Sequence, residues 1–409
     1  NKRKNPMLVR EMIRNVYKEC KGVPKSNCLT KEQRLSLQMD EFMNRRYEFR
    51  YNTQIGEVEY RERFSFQFYF HPIDKRAQNS IMLDAQSEGI GVWDRDIDRY
   101  LHSNRVPIYN PLEEFLFHLP HWDGKDRIHA LANRVPCKNP HWELLFHRWF
   151  LNMVSHWRGV DKMHANNTSP ILVGRQGTHK STFCREMIPP ALRAYYTDSI
   201  DFSHKRDAEL YLNRFALINI DEFDQITLPQ QGFLKHILQK PVVNLRKPHG
   251  RSVLELQRYA SFIGTSNQKD LLTDPSGSRR FICIEVTGNI DTTQPIDYEQ
   301  LYAQAMHEIH HGERYWFDSE DEQIMTENNR EFEQTPAMLQ LFYQYFKTAQ
   351  TKEEGEFLTP VEILNYLKKK SGMSLSDNKV YHFGRLLQKC GIPSKHTYKG
   401  TVYQVIKLS

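Results

Sequence analysis

One stretch, GRQGTHKST at residues 174–182, restricts the fold of this chain more than any other feature. It follows an apolar run, Pro170–Gly174, that predicts a buried strand, and it precedes Phe183–Ile188, where the pattern predicts the start of a helix. A strand, a glycine-bearing loop, a Lys-Ser pair and a helix are the layout of a phosphate-binding loop. The backbone N–H groups of such a loop hold phosphate oxygens, helped by the positive end of the helix dipole. The stretch therefore predicts binding of a nucleoside triphosphate.

The loop also predicts roles for single residues. Lys180 would reach the β- and γ-phosphates, and the Ser181 hydroxyl would be a ligand of Mg²⁺. At position 179 the usual pattern has a glycine, which lets the backbone approach the phosphates, so the Cβ of His179 has a steric cost. Considered alone, the loop is also compatible with a glycine-containing turn before an unrelated helix. The predicted nucleotide-binding residues are Gly174, Gln176, Gly177, Thr178, His179, Lys180, Ser181 and Thr182.

A second apolar run, Phe215–Ile220, ends in adjacent carboxylates, as a Walker B strand does. Asp221 would hold the Mg²⁺ shell, directly or through water, and Glu222 would orient or polarise the attacking water. Carboxylates also end many strands simply because strand ends are solvated. The spacing favours the first interpretation, since about 40 residues after the loop leave room for a helix and one intervening strand.

A third short strand is predicted within Ala260–Asn267, ending in a Thr-Ser-Asn cluster. Asn267 is positioned to bridge the γ-phosphate and the lytic water, the sensor role in AAA+-type ATPases. The alternative is an Asn-initiated turn, which is common.

A turn at Asp274–Phe281 carries two arginines and leads into a predicted strand, Phe281–Val286. Either Arg279 or Arg280 could reach a γ-phosphate in a neighbouring subunit as an arginine finger. The alternative is a surface arginine pair on a turn. The four features occur in the order expected of an ATPase, which favours that function over four coincidences.

Length and composition limit the number of domains and the class of protein. A chain of 409 residues is expected to form two or three domains, and the start at Asn1 rather than Met is compatible with either a fragment or a processed chain. No apolar run approaches the ~18 residues of a spanning helix, so no membrane partner is expected. Six cysteines without C-x-x-C pairs predict reduced thiols and a cytoplasmic location, and the 18 histidines show no metal spacing. The net charge of +6 is compatible with nucleic acid without demonstrating it.

The predicted fold class is α/β, an AAA+-like P-loop ATPase core with a mixed N-terminal region and a C-terminal winged-helix-like domain. In the N-terminal region a helix follows a Thr30 cap, a β-hairpin has its tip near Asn52–Gly56, and two helices flank Gly89–Val92. Helices are expected from about residue 290 to about residue 350, with Tyr298–His311 as the clearest. The predicted divisions are an α+β region at 1–109, a helical region packing on the core at 110–167, the ATPase core at 168–335 and the winged-helix-like domain at 336–409.

The C-terminal segment predicts a capped helix at Thr359–Lys370, a second helix at Asn378–Gly391 and a hairpin at Ser394–Ile406. Two helices and a basic hairpin are the outline of a winged helix. Such modules often place the second helix in a DNA groove and the wing on the backbone, whereas others mediate only protein contacts. The pattern leaves both open.

A basic hairpin is predicted between the Walker B and sensor strands. Val242–Leu245 and Ser252–Leu256 would pair around a Pro-His-Gly turn. The tip would project into the pore of a ring and contact single-strand phosphates; the alternative is a solvated turn. The predicted DNA-binding residues are Arg246, Lys247, His249 and Arg251.

Three blocks carry a resemblance to a known family: Gly174–Phe183, Arg214–Asp224, and Phe262–Asn267 together with Gly277–Phe281. Over roughly residues 110–290 the chain resembles the virulence-associated protein E family, which is similar to superfamily 3 helicases and to primase-helicases of phages and mobile elements. The C-terminal tail resembles one on Bacteroidetes members.

The resemblance implies an AAA+-like helicase core that uses ATP and Mg²⁺, forms a homo-oligomeric ring, expected to be a hexamer, and acts on single-stranded or forked DNA. It also implies a primase domain or partner, although no primase motif is visible. By this resemblance Lys180 and Ser181 form the Walker A pair, Asp221 and Glu222 the Walker B pair, and Asn267 is the sensor. Arg280 best matches the finger, with Arg279 as the competitor.

Three functions remain open at this point. The leading one is an ATP-dependent DNA helicase or translocase of a replication or mobile-element system. The second is an ATP-binding, weakly hydrolysing oligomeric DNA-binding switch or scaffold, which the His179 departure would explain. The third, a P-loop kinase, needs a phosphate-acceptor site and a lid that the sequence does not reveal.

Overall fold

The structure is a computed structural model, and it describes residues 29–66, 68–159, 163–245, 254–272, 275–333, 337–348, 355–372, 380–398 and 400–408. In these ranges no helix is long and apolar enough to cross a membrane. The described cysteines, at positions 137, 184, 283 and 390, are all free thiols.

The N-terminal region forms a small antiparallel sheet covered by helices. Its elements are α1 (Lys31–Arg46), β1 (Tyr47–Asn52), β2 (Glu57–Glu62), β3 (His71–Pro72), α2 (Lys75–Ser87), α3 (Asp94–Leu101) and β4 (Ile108–Tyr109). The Thr30 hydroxyl accepts the Gln33 N–H and the Gln33 side chain accepts the Thr30 N–H, a capping box that starts α1. β1 and β2 pair antiparallel within the order β3-β2-β1-β4. The predicted capped helix, hairpin and helix pair are confirmed.

Three helices connect this region to the central sheet: α4 (Pro111–Phe117), α5 (Arg127–Ala132) and α6 (Trp142–Arg158). α6 is apolar around its circumference and is almost wholly buried. The indole N–H of Trp149 donates to the Phe262 carbonyl (3.1 Å), and that of Trp157 donates to the Ala216 carbonyl (3.3 Å). Since both acceptors belong to the sheet region, the prediction of a helix packed on the core is confirmed for α6.

The central region alternates strands and helices. Its elements are β5 (Ser169–Val173), α7 (Lys180–Glu186), β6 (Tyr196–Thr197), α8 (Lys205–Arg214), β7 (Leu217–Ile220), α9 (Leu228–Leu238), β8 (Val242–Leu245), β9 (Leu254–Gln257), β10 (Ser261–Ser266) and β11 (Phe281–Glu285). A five-stranded sheet has the order β11-β5-β10-β7-β6, and every pair in it is parallel. The predicted α/β class with a parallel sheet is confirmed.

Both faces of this sheet are covered. Along β5, Leu172 packs in a cluster that contains α6 side chains, while Ile171 and Val173 pack in a second cluster with α8 and α9. Strands buried on both faces need continuous apolar runs, and β5, β7 and β10 are fully buried. Gly264 lies at the centre of the sheet, where an added Cβ would come within 2.8 Å of Ile171 Cδ1 and 3.2 Å of the Ile220 carbonyl oxygen, so a side chain here would displace its neighbours.

The rest of the chain comprises α10 (Tyr298–His310), α11 (Ser319–Asn328), α12 (Ala337–Tyr345), β12 (Phe346–Thr348), β13 (Glu356–Leu358), α13 (Pro360–Ser371), α14 (Val380–Lys389), β14 (Ser394–Thr397) and β15 (Gly400–Lys407). The two predicted C-terminal helices and the hairpin β14–β15 are present. The expectation of helix to about residue 350 is wrong, because β12 pairs with the far end of β15 and buries Phe346. β13 pairs with β15 as well, a strand that the sequence analysis did not anticipate.

Arg258 joins several of the central elements. Its side chain is 1% exposed, and its guanidinium donates to the carbonyls of Ala260 (2.9 Å), Leu238 (2.7 Å), Lys240 (2.8 Å) and Asn166 (3.0 Å). The carbonyls at the end of α9 have no partner within the helix, so the guanidinium acts as a buried cap. Burial lowers the pKa of Arg258 to about 9, and the group stays charged at neutral pH.

We expect Arg258→Ala to lower the free energy of unfolding by about 3 kcal/mol or more, because it leaves several buried carbonyls unpaired. Arg258→Lys should lose less, since an ammonium can replace some of the donors. Denaturant unfolding measures both, with Arg95→Ala as the exposed control, which should change stability by less than about 0.5 kcal/mol. Equal unfolding midpoints for Arg258→Ala and Arg95→Ala would contradict the capping role.

Candidate functional site

The carboxyl ends of three parallel strands bring the predicted site residues to one edge of the sheet. Gly174 follows β5, Asp221 follows β7 and Asn267 follows β10, and these strands are adjacent in the sheet. Ligands of open α/β sheets bind at this edge, because the loops that follow the strands all open there.

The loop between β5 and α7 is held by backbone contacts on both sides. The Gly174 N–H donates to the Ser266 carbonyl (3.0 Å), and the Ile290 N–H donates to the Thr178 carbonyl (3.1 Å). The Thr178 hydroxyl donates to the Arg175 carbonyl (2.9 Å). Gly177 has φ +84°, a conformation that favours glycine, and no atom approaches the position of its absent Cβ.

Two residues other than glycine have left-handed backbone angles in the described part of the chain, and both belong to the predicted site. They are His179 (φ 63°), which caps the start of α7, and Glu222 (φ 53°), which follows β7. The conformation costs an L-residue about 1–2 kcal/mol. His179 occupies the position at which the usual motif has a glycine. The histidine therefore adopts the left-handed backbone conformation that a glycine would have there. Such strain clusters at functional sites.

Lys180 lies at the centre of the site. Its side chain is largely buried, and Nζ donates to the carbonyls of Gly174 and Arg175 (both 2.8 Å) and to Asn267 Oδ1 (3.2 Å). Burial lowers the pKa of Lys180, and the charge of Asp221 opposes that shift. The predicted loop lysine and the predicted sensor asparagine are therefore in direct contact.

Ser181 and Asp221 form the second contact of the site. The Ser181 hydroxyl donates to Asp221 Oδ1 at 3.0 Å, and the Thr265 hydroxyl donates to the same oxygen. Mg²⁺ holds its oxygen ligands at about 2.1 Å in an octahedron, so two adjacent ligands lie about 3 Å apart. The pair therefore fits a Mg²⁺ ion that takes its other ligands from water and phosphate. Among the residues that the structure describes, no group of three or more His, Cys, Asp or Glu could hold a metal by itself.

Asp224 orders the end of β10. Its Oδ1 accepts the Ser266 hydroxyl (2.8 Å) and the Asn267 N–H (3.4 Å). Thr265 and Asp224 thus connect the end of β7 to the end of β10, and the sequence analysis assigned a role to neither. The sequence signal for these contacts was the pair of hydroxyl residues, Thr265 and Ser266, at the end of an otherwise apolar strand.

The remaining predicted residues are less closely connected. The side chains of Gln176, Thr182 and Glu222 are exposed, and that of Glu222 makes no hydrogen bond with any described residue. Arg279 forms an ion pair with Glu322 of α11 (2.8 Å), and Arg280 is half-buried. The predicted hairpin strands pair: the second extends to Gln257, one residue beyond the prediction, and its predicted start at Ser252 lies outside the described residues. The tip residues Arg246, Lys247, His249 and Arg251 lie outside the described residues.

A groove of about 340 Å³ is lined by α5 and by residues between 291 and 301, and none of residues 174–182 lines it. Asp291, which follows the Thr178-bound Ile290, is among the residues that line it, together with Arg127, Arg134 and Ile296. The volume is in the range of small-molecule sites, and the lining combines charged and apolar groups.

Two family models match the chain. Residues 116–334 match the virulence-associated protein E-like domain, and residues 335–405 match a domain of unknown function from B. theta (DUF3874). No curated protein matches the sequence.

Three solved structures of the NrS-1 C-terminal region are similar, all in apo form. Two are 12% identical and one is 11% identical, each has a TM-score of 0.45, and each match covers 91% of this chain and 98–99% of the other. The virulence-associated protein E-like model covers more than half of the chain and includes every residue of the site described above. The chain therefore belongs to the virulence-associated protein E-like family, as its motifs predicted.

Proposed function

We propose that this protein is an ATP-dependent DNA helicase or translocase that hydrolyses ATP with Mg²⁺ at the edge of the parallel sheet. The observation that carries the proposal is the convergence of Lys180, Ser181, Asp221 and Asn267 through direct hydrogen bonds. These are the groups that a nucleoside triphosphatase needs around the terminal phosphates. A replication or mobile-element context rests on the family alone.

In this proposal Lys180 exchanges its carbonyl partners for phosphate oxygens, and Ser181 and Asp221 hold Mg²⁺. Bound Mg²⁺ would supply positive charge to the phosphate oxygens and so stabilise the transition state. Asn267 then orients the attacking water, with its own position set by Asp224. Glu222 accepts a proton from that water, since its exposed carboxylate is free of intramolecular hydrogen bonds among the described residues.

The partners are a homo-oligomeric ring, expected to be a hexamer, and single-stranded or forked DNA. In the ring an arginine of one subunit would complete the site of the next, with Arg280 as the first choice and Arg279, which pairs with Glu322, as the second. DNA would pass along the tip of the β8–β9 hairpin, at Arg246, Lys247, His249 and Arg251. The C-terminal segment is proposed as a winged-helix-like unit in which α13, α14 and the hairpin β14–β15 are the two helices and the wing.

A second function is favoured by one observation, the left-handed His179 in place of glycine. If its Cβ or its strain impedes the transition state, the protein would bind ATP and act as a slow DNA-binding switch or scaffold.

Lys180→Ala should abolish steady-state ATP hydrolysis, both basal and in the presence of single-stranded DNA, because no other described side chain takes the place of its ammonium. We expect the wild type to hydrolyse ATP faster when the DNA is added. Lys125→Ala, an exposed lysine outside the site, is the matched control and should retain both rates. Unchanged turnover in Lys180→Ala would show that the loop assignment is wrong.

Glu222→Gln should keep nucleotide affinity and lower turnover by about 100-fold or more, since the amide has the same shape and cannot accept the proton. Binding of a fluorescent ATP analogue and phosphate release measure the two effects separately. Glu285→Gln removes an exposed carboxylate at the end of β11 and should alter neither. Loss of binding in Glu222→Gln would instead indicate a structural role.

His179→Gly separates the two functions. A strain of about 1–2 kcal/mol, relieved only in the transition state, corresponds to about five- to 30-fold in rate. We therefore expect turnover to rise by no more than about 30-fold, because His179 already has the backbone shape that the loop requires. A rise of about 50-fold or more would identify His179 as a brake and favour the switch.

A further inference from the structure

Both candidate finger arginines lie far from the nucleotide loop of their own chain. A short 3₁₀ helix, Pro275–Arg280, ends in the two arginines and leads directly into β11. In the parallel register Phe281 pairs with Ser169 at the start of β5, whereas Lys180 belongs to the loop after the end of β5. The five residues of β5 span about 16 Å, which is more than the length of an arginine side chain. The arginines are therefore placed to serve a neighbouring subunit.

One buried side chain holds the backbone on both sides of the arginine pair, at residues 278–281, which we call the arginine turn. The Asn329 amide nitrogen donates to the Ser278 carbonyl and to the Phe281 carbonyl, both at 2.7 Å. Its Oδ1 accepts the Cys283 N–H at 3.3 Å. Asn329 is fully buried, so removing its amide would take a shared donor from two backbone carbonyls.

The backbone needs these bonds because β11 is the edge strand of the parallel sheet. In a strand, alternate residues direct their N–H and C=O groups to the same side. The N–H and C=O of Cys283 point outward, since they contact Asn329 and Asn328 (2.8 Å) rather than a strand, and Phe281 lies two residues earlier. The asparagine amides therefore take the place of a missing strand along the arginine turn and the start of β11.

The position of Asn329 is fixed in turn by α11, which it follows directly. Asp321 of α11 is 2% exposed and forms ion pairs with Arg148 of α6 and with Arg314 (3.2 Å). The next residue, Glu322, pairs with Arg279. Asn329 thus links the arginine turn to a helix that is itself anchored on the core by a buried carboxylate.

We propose that Asn329 is a positioning residue for ATP hydrolysis, which holds the arginine turn so that one of its arginines reaches the terminal phosphate in the neighbouring subunit. The inference rests on the proposed function. An arginine finger contributes about 10³–10⁵ in kcat, and a misplacement of about 1 Å in an active site can cost about 100-fold. A turn without its central hydrogen bonds would therefore lose much of what the arginine contributes, although both charges remain.

The first test compares two buried asparagines in the full chain. Asn329→Ala should lower kcat for ATP by about 100-fold and leave the affinity for a fluorescent ATP analogue unchanged, because its own nucleotide loop is intact. Asn166→Ala is the matched control: Asn166 is fully buried, and its amide donates to the Trp149 carbonyl (3.3 Å) and the Ser261 hydroxyl (2.9 Å). It should lose stability and retain kcat. An equal loss of kcat in the two variants would overturn the positioning role.

A double-mutant cycle tests whether Asn329 acts through the arginines. In the background Arg279→Ala/Arg280→Ala, the change Asn329→Ala should cause no further loss of kcat, because the groups that it positions are already absent. Losses that multiply would show that Asn329 acts on catalysis by another route, and they would overturn the proposal.

Mixed oligomers test whether the effect crosses to the neighbour. Lys180→Ala keeps an intact arginine turn, and Asn329→Ala keeps an intact nucleotide loop. When equal amounts are mixed before ATP is added, half of the subunits have an intact loop and half of those face an intact turn, so turnover should return to about a quarter of the wild-type rate.

The reference mixture combines Lys180→Ala with Arg279→Ala/Arg280→Ala and should recover to the same extent. Recovery in the reference mixture alone would overturn the role of Asn329 and leave the proposed function intact. Recovery in neither mixture, with an active wild type, would contradict the arginine finger from the neighbouring subunit and this inference with it.

Discussion

The parallel register of β5, β7 and β10 is the constraint on which the rest of the site depends. Gly264 of β10 is the cross-strand partner of both Ile171 and Ile220, so the three strands end almost level with one another. Because parallel strands point their carboxyl ends the same way, the residues that follow them, from Gly174, Asp221 and Asn267 onward, must meet. The contacts of Lys180 with Asn267 and of Ser181 with Asp221 are consequences of that alignment.

Local strain at the site is maintained by the surrounding packing. His179 and Glu222 each have a left-handed backbone conformation, which costs about 1–2 kcal/mol. The free energy of unfolding of a typical protein is only about 5–15 kcal/mol. Neighbouring groups fix both: the loop before His179 is tied to Ser266 and Ile290, and Phe223, next to Glu222, is fully buried. At Glu222 this backbone conformation presents an exposed carboxylate next to Asp221.

Much of the fold was predictable because its signals are local. Caps such as Thr30, apolar runs such as Phe215–Ile220, and turn residues report on their own neighbourhoods, and the predicted helices and strands around them are confirmed. The non-local features were missed. β12 and β13 exist because β15 offers them partners some 50 residues away, and Thr265 and Asp224 matter only once two strands are adjacent. The positions of the motif residues at the strand ends were therefore predictable, whereas the hydrogen bonds that position their side chains were not.

The segment between Asp221 and Asn267 leaves the sheet and returns to it. From Asp221 the chain runs through α9 into the β8–β9 hairpin and returns through β10 to Asn267. Arg258 joins the two ends of this segment, because its guanidinium donates to the Leu238 carbonyl at the end of α9 and to the Ala260 carbonyl just before β10. A displacement of the hairpin base relative to the sheet must break buried, charge-assisted hydrogen bonds. The base of the β8–β9 hairpin is therefore fixed to the end of α9 and to the residues just before β10.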